Sequence, residues 1–231
     1  MYTVIFSSRM KDNPDFGLPN LLNSFIKNTT VDERQNSEFL IKFDEDDNIE
    51  DIKSILDLYW NLNIKPFFWE RLGGRSSLHE VQTYLYKYKN PNCTWIQVIA
   101  DDFIYTRPGF VTEILNIPDN YNYIGTEAFV SPKTQGTAPC FSRKLMDACC
   151  GDFGPQPNSD GFATGLNEIM NQKYNINLGL DIEPYYYRVS CNTSENWDSS
   201  FNKMTKDGLD IIYSLMSKNI YLNILNDKNY D

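Results

Sequence analysis

The stretch WIQVIADDFIYTRPGF, Trp95 to Phe110, is where the fold and the chemistry of this sequence meet. An apolar run, read as a strand, stops at two adjacent carboxylates, Asp101 and Asp102. A proline–glycine turn then restarts the chain, with Pro108 expected at the first position of a short helix over Phe110 to Leu115. Like charges this close are uncomfortable unless solvated or neutralised. One solution is a hard divalent cation, Mg2+ or Mn2+, held by carboxylate oxygens and completed by water and a substrate's phosphates. The other is a strand end running into solvent, with one aspartate capping the turn. Adjacent strand residues point to opposite faces, so at most one of the pair lies in line with a given ligand.

The chain before this stretch alternates strand and helix. Thr3 to Phe6 reads as a buried strand followed by the polar loop Ser7-Ser8-Arg9, and Leu18, Leu21, Leu22, Phe25 and Ile26 then share a helical face. A second strand over Glu38 to Phe43 ends at Asp44. The acid run Asp44 to Asp47 leads into a helix with Ile49, Ile52, Ile55, Leu56 and Tyr59 inward, where Asp47 and Glu50 suit the first turn. A third strand spans Ile64 to Trp69. After the loop Arg71 to Arg75, Ser77 and Glu80 have capping-box spacing at the start of a helix carrying Leu78, Val81 and Leu85.

Four such alternations with apolar strands predict an α/β fold: a mostly parallel central sheet flanked by helices on both faces. Ligands bind such sheets outside the carboxyl ends of the strands. Ser7-Ser8-Arg9, Asp44, the Arg71–Arg75 loop and Asp101-Asp102 all fall at that edge. Beyond about residue 117 the rhythm breaks. A strand is expected in Tyr121 to Val130, a short strand or turn near Cys140, helices at Ser142 to Cys150 and 161–172, and a final helix from Thr205 to Ser217. No internal repeat or low-complexity linker interrupts the chain, so one domain is expected, with a nucleotide-type front half (1–115) and an irregular back half (116–231).

Lys and Arg total 21 against 31 Asp and Glu, a net charge of −10, and the pI is near 4.6. With no basic cluster, a nucleic-acid backbone would be repelled, and nucleic acid is not an expected partner. The N-terminus lacks the pattern of a signal peptide and no apolar run is long enough for an integral membrane segment, so a cytoplasmic location is expected. Five cysteines without metal spacing read as reduced thiols, and the single histidine, His79, leaves little for a histidine-rich metal site or a Ser-His-Asp triad.

On the loops around the aspartate pair, Arg9 and Arg75 could bind a diphosphate bidentately or be surface arginines. Asp44 could accept hydrogen bonds from a base or ribose, or belong to a solvated acid run.

The order of these pieces resembles the nucleotide-sugar-dependent glycosyltransferases of the GT-A fold, closest in style to family 2. The resemblance rests on a first strand with "SSR", the helix "LPNLLNSFIKNT", a second strand ending at Asp44, "ERLGGRSSLHEV" and, above all, "IADDFIYTRPGF". It covers residues 2 to 115 well and the remainder, the acceptor-binding half of such enzymes, loosely. It implies that Asp102 binds Mn2+ or Mg2+ and that Asp101 lies against the ribose or a metal-bound water. It also implies that Asp44 faces the nucleobase, commonly of uridine donors, that Arg75 lies near the diphosphate, and that Ser7, Ser8 and Arg9 line the cleft. The partners would be a nucleotide-sugar donor and a glycan, glycoprotein or other hydroxyl acceptor.

Such enzymes place a general base in an acidic motif at a helix start. Here the best match is Asp160, which reads equally as the N-cap of the 161–172 helix, with Asp152 in reserve. Tyr185, Tyr186, Tyr187 and Trp197 could stack on sugar rings or pack in the core. Two other classes compete: another Mg2+-dependent phosphate-handling enzyme, such as a nucleotidyltransferase, and a non-catalytic binding protein on the same fold.

Overall fold

A computed structural model describes residues 1–8, 17–70, 78–125, 138–153, 159–188 and 206–227. Within those segments the side chains of Leu78, His79, Ser159, Asp160, Arg188 and residues 206–209 lie outside the description. Among the described residues the order is β1 (Tyr2–Ser7), α1 (Leu18–Lys27), α2 (Val31–Gln35), β2 (Ser37–Asp44), α3 (Ile49–Asp57), β3 (Ile64–Trp69), α4 (Leu78–Tyr86), β4 (Trp95–Val98) and β5 (Phe103–Tyr105). Then come α5 (Phe110–Asn116), β6 (Tyr123–Ile124), β7 (Cys140–Ser142), α6 (Arg143–Ala148), α7 (Ser159–Tyr174), β8 (Gly179–Leu180), β9 (Tyr186–Arg188) and α8 (Lys206–Asn226).

The main sheet runs β3-β2-β1-β4-β7-β6-β8. The first four strands are mutually parallel, as the alternation predicts. β7 is antiparallel to β4 and β6, and β8 is parallel to β6. Among the described residues β3 lies at one edge of the sheet, which explains how Pro66 is tolerated: a strand with one neighbour can spare a donor.

The strands alternate between two cores. Tyr2, Val4, Phe6, Phe39, Ile41 and Phe43 face α1, α3 and α5. Ile5, Leu40, Ile96 and Val98 face the layer of α4, α6, α7 and α8. Burying both faces in this way is what makes such strands read as near-continuous apolar runs. The first core contains one polar knot. Gln97 Oε1 accepts from the hydroxyls of Tyr2 and Tyr105 (2.8 Å for Tyr105), and its amide donates to Tyr185 Oη at 3.0 Å. The polar atoms that Tyr, Tyr, Tyr and Gln bring inside are thereby satisfied by one another.

Several expectations are corrected. The stretch from Trp95 is a strand, a turn and a second strand: β4 ends at Val98, Asp101 and Asp102 occupy a turn, and β5 pairs antiparallel with β9. Asp101 and Asp102 are therefore not held to opposite faces of a strand. Pro108 is not the first helical residue, because Gly109 is the N-cap of α5 with φ 77°. Asp47 precedes Asn48, the N-cap of α3, and so lies outside the first turn, which holds Glu50 as expected together with Asp51. Tyr59 is buried but lies past the end of α3, and Ile49 is exposed. Ser159 precedes Asp160 within α7, so Asp160 is the second helical residue and not the cap. α8 runs on to Asn226. Cys93, Cys140 and Cys149 are buried free thiols, as the cysteine count predicts, and Cys150 is exposed.

Two glycines with positive φ allow a graded test. A Cβ on Gly109 (φ 77°) would meet nothing within 4 Å, whereas one on Gly151 (φ 73°) would lie 2.7 Å from Cδ1 of buried Tyr86. Gly109→Ala should cost about 1 kcal/mol from backbone conformation alone. Gly151→Ala adds overpacking against Tyr86 and should cost about 2–3 kcal/mol. Urea midpoints of the two variants check the ranking.

Candidate active site

The strand order brings the carboxyl ends of β2, β1 and β4 side by side, so Asp44, Ser7-Ser8 and the Asp101–Asp102 turn share one edge. Two strand spacings separate the first from the last, about 10 Å. β4 leaves the sheet here: Ile99 N still bonds Ile5 O at 3.2 Å, and the chain then turns through Asp101 and Asp102 into β5. Phe103 and Tyr105 anchor that turn by burying their rings in the first core. Asp102 is itself buried and Asp101 half-buried.

A run of hydrogen bonds ties the three strand ends together. Ser8 Oγ donates to Asp101 Oδ2 at 2.8 Å. Ser8 N donates to Lys42 O at 2.9 Å, extending the β1–β2 ladder by one residue. Lys42 Nζ makes an ion pair with Asp44 Oδ1, and both side chains are largely buried. Asp44 N in turn donates to Asp47 Oδ2 at 3.2 Å, which gives the buried Asp47 a role in the turn after β2 rather than at the start of α3. The edge thus gathers four carboxylates, Asp44, Asp47, Asp101 and Asp102, with Lys42 paired to Asp44.

Five of the expected residues therefore meet at this edge: Ser7, Ser8, Asp44, Asp101 and Asp102. Arg9 and Arg75 lie outside the described residues. Asp160 is in the first turn of α7, and its side chain is outside the description. Tyr185 and Tyr186 are core residues. Tyr185 stacks on Phe110 with centroids 4.7 Å apart, and Tyr186 Oη donates to Ala138 O at 3.1 Å. Tyr187 is exposed, and Trp197 lies outside the described residues.

Lys42 and Asp47 were not among the expected site residues. The signal for Lys42 was present, since the period of two in SEFLIKFD puts Glu38, Leu40, Lys42 and Asp44 on one face of a strand that proves buried throughout.

The two carboxylates of the turn suit a divalent cation that takes the rest of its shell from phosphates and water. Among the described residues no group of three or more His, Cys, Asp or Glu could hold a metal unaided. No described helix is long and apolar enough to cross a membrane.

No family model and no curated protein sequence matches the chain. Solved structures do match in fold. The mannosyltransferase PcManGT from Pyrobaculum calidifontis, in complex with GDP-Man and Mn2+, is 11% identical with a TM-score of 0.54 over 99% of this chain and 65% of its own. S. aureus TarS 1-349 is 13% identical with a TM-score of 0.58 over 99% of this chain and 67% of its own. A protein assigned as a glucose-1-phosphate thymidylyltransferase, from Bacillus anthracis, is 9% identical with a TM-score of 0.50, over 87% of this chain and 98% of its own. The chain thus spans about two thirds of the length of the first two. These likenesses show a GT-A fold, as the order of motifs implied.

Proposed function

We propose that this chain is a metal-dependent glycosyltransferase that moves a sugar from a nucleotide-diphosphate donor, with UDP-sugars favoured, to the hydroxyl of a glycan, glycoprotein or other acceptor. The observation that carries this reading is the meeting of the Asp101–Asp102 turn, Ser8 and Asp44 at the carboxyl edge of a GT-A sheet. Asp102, with Asp101 beside it, would hold Mn2+ or Mg2+. When bound, the ion neutralises the charge that develops on the departing diphosphate. Ser8 orients Asp101 by donating to it, a supporting contact of the kind that fixes metal-site carboxylates. Asp44 faces the base, and Ser7, Ser8 and Arg9 line the cleft. Arg75 adds a guanidinium whose fork suits phosphate oxygens.

Asp160 is the general base of this reading. It deprotonates the acceptor hydroxyl as the oxygen attacks the anomeric carbon, and that single displacement inverts the configuration there. Product NMR showing retention would overturn the assignment of Asp160.

The nucleotide site is tested by thermal unfolding with UDP, GDP, CDP and ADP, each with and without Mn2+. A ligand at 100 times its Kd stabilises by about 2.7 kcal/mol, which for a chain of this size raises Tm by roughly 5–10 °C. A metal-dependent rise with one nucleotide supports the reading and names the donor class. No rise with any of them favours a non-catalytic binding protein.

A second reading, a nucleotidyltransferase, is favoured by the likeness to the thymidylyltransferase structure over nearly its whole length. It differs in the atom attacked, phosphorus instead of carbon. Release of pyrophosphate, rather than of a nucleoside diphosphate, would decide for it.

A further inference from the structure

Lys42 has no part in the roles assigned above, yet its burial calls for one. Its side chain is 4% exposed, and it pairs with the carboxylate of Asp44, two residues on and on the same face of β2. Nζ lies 5.6 Å from the centre of the Trp69 ring, the last residue of β3, which is the register partner of Asp44. A buried ion pair of this kind is no more stabilising than well-packed apolar residues of the same volume. Stability is therefore not a reason for an ammonium and a carboxylate to be buried together at the end of an apolar strand. Their position is one: this is the edge where the fold takes its ligand, and Lys42 O already holds Ser8 N beside the Asp101 contact.

We propose that Lys42 is a positioning residue of the nucleobase subsite: its contact with Asp44 holds that carboxylate fixed, so that the subsite selects nucleotides whose base carries a ring N–H. An ionised carboxylate only accepts hydrogen bonds, and a protonated one also donates. Uracil and guanine present a ring N–H on the edge remote from the sugar, whereas cytosine and adenine present a ring nitrogen lone pair there. With Lys42 in place, Asp44 matches the first pair and repels the second. Without that ammonium the buried carboxylate loses the side-chain contact that fixes its direction, and the preference weakens. The inference rests on the nucleotide-sugar reading above.

The test is isothermal calorimetry of UDP, GDP, CDP and ADP at saturating Mn2+ on the wild type and Lys42→Met. The wild type should bind UDP or GDP at least about tenfold more tightly than CDP and ADP, the scale of one hydrogen bond to a charged group. In Lys42→Met that ratio should fall below about threefold. Should this variant fail to fold, Lys42→Met/Asp44→Asn replaces the pair without leaving a buried charge. Its amide offers both donor and acceptor, so the ratio should again approach one. Wild-type preference for CDP or ADP would overturn the inference and leave the nucleotide site standing. So would a variant that binds every nucleotide more weakly by the same factor, since that is a structural effect alone. Binding of none of the four by the wild type would instead remove the nucleotide reading itself, and this inference with it.

Discussion

Replacing Asp102 by asparagine is expected to lower the rate of sugar transfer by about a thousandfold and to abolish the Mn2+-dependent part of nucleotide binding. A thousandfold is about 4 kcal/mol of transition-state stabilisation, the scale of a metal ion neutralising charge on a leaving group. Asparagine is chosen over alanine because Asp102 is buried and the amide keeps its volume, so the loss reads on charge and not on packing. Asp101→Asn should fall less, by about 10- to 100-fold, because its Oδ2 contact with Ser8 Oγ is a supporting one. Ser8→Ala should lie in the same range. Unchanged turnover in Asp102→Asn would sink the assignment and favour a chain that keeps the fold without the chemistry. The Tm without ligand distinguishes a lost site from a lost fold.

How far this site could be read from sequence depended on how each element announces itself. IKPFFW is a short apolar run between polar residues, and β3 has the bounds that pattern predicts, Ile64–Trp69. WIQVIADDFIY is two runs joined by the aspartates, and no periodicity separates a strand continuing past two acids from a strand, a turn and a new strand. Only its partner does so, and β9 lies some 80 residues on. α2 was missed although Thr30 and Glu33 have the same spacing that marked the next-but-one helix, because five residues carry no apolar stripe. α8 was cut short for the opposite reason. Tyr213, Ile220 and Ile224 face inward while Ile211, Leu215, Leu222 and Leu225 are exposed, and a helix with apolar residues on two faces gives no single stripe to follow. β6, Tyr123–Ile124, lies inside the strand expected from Tyr121, whereas β8, two residues long, has no signal of its own. Charged residues inside strands were the most informative ones passed over, since Glu38 and Lys42 each bury a charge that is paired by a neighbouring residue.

The same lesson applies to Glu33, where the largest loss of stability is expected. Glu33 is 4% exposed, and its carboxylate receives two helix starts at once. Oε2 accepts from Thr30 N at 2.9 Å, closing the capping box of α2. Oε1 accepts from Thr112 N at 3.0 Å and Thr112 Oγ1 at 2.8 Å, in the first turn of α5. Burial works to raise the pKa of this group, but the hydrogen bonds from Thr30 and Thr112 outweigh it and hold the carboxyl below its ordinary value of 4.5. Glutamine keeps the shape but turns one oxygen into a donor that must face donors already there. Glu33→Gln should therefore cost about 3 kcal/mol, a fall in Tm of roughly 6–12 °C. Thr30→Ala, which removes only a cap, should cost about 1 kcal/mol. Because the folded pKa is depressed, the stabilisation is fully present above the unfolded value and is lost as pH falls through the folded one. The gap between wild type and Glu33→Gln in urea unfolding should accordingly be constant from pH 7 to pH 5 and shrink below about pH 4.5. A gap that stays the same at pH 3.5, or one under 1 kcal/mol at pH 7, would show that the two helix starts do not depend on this charge.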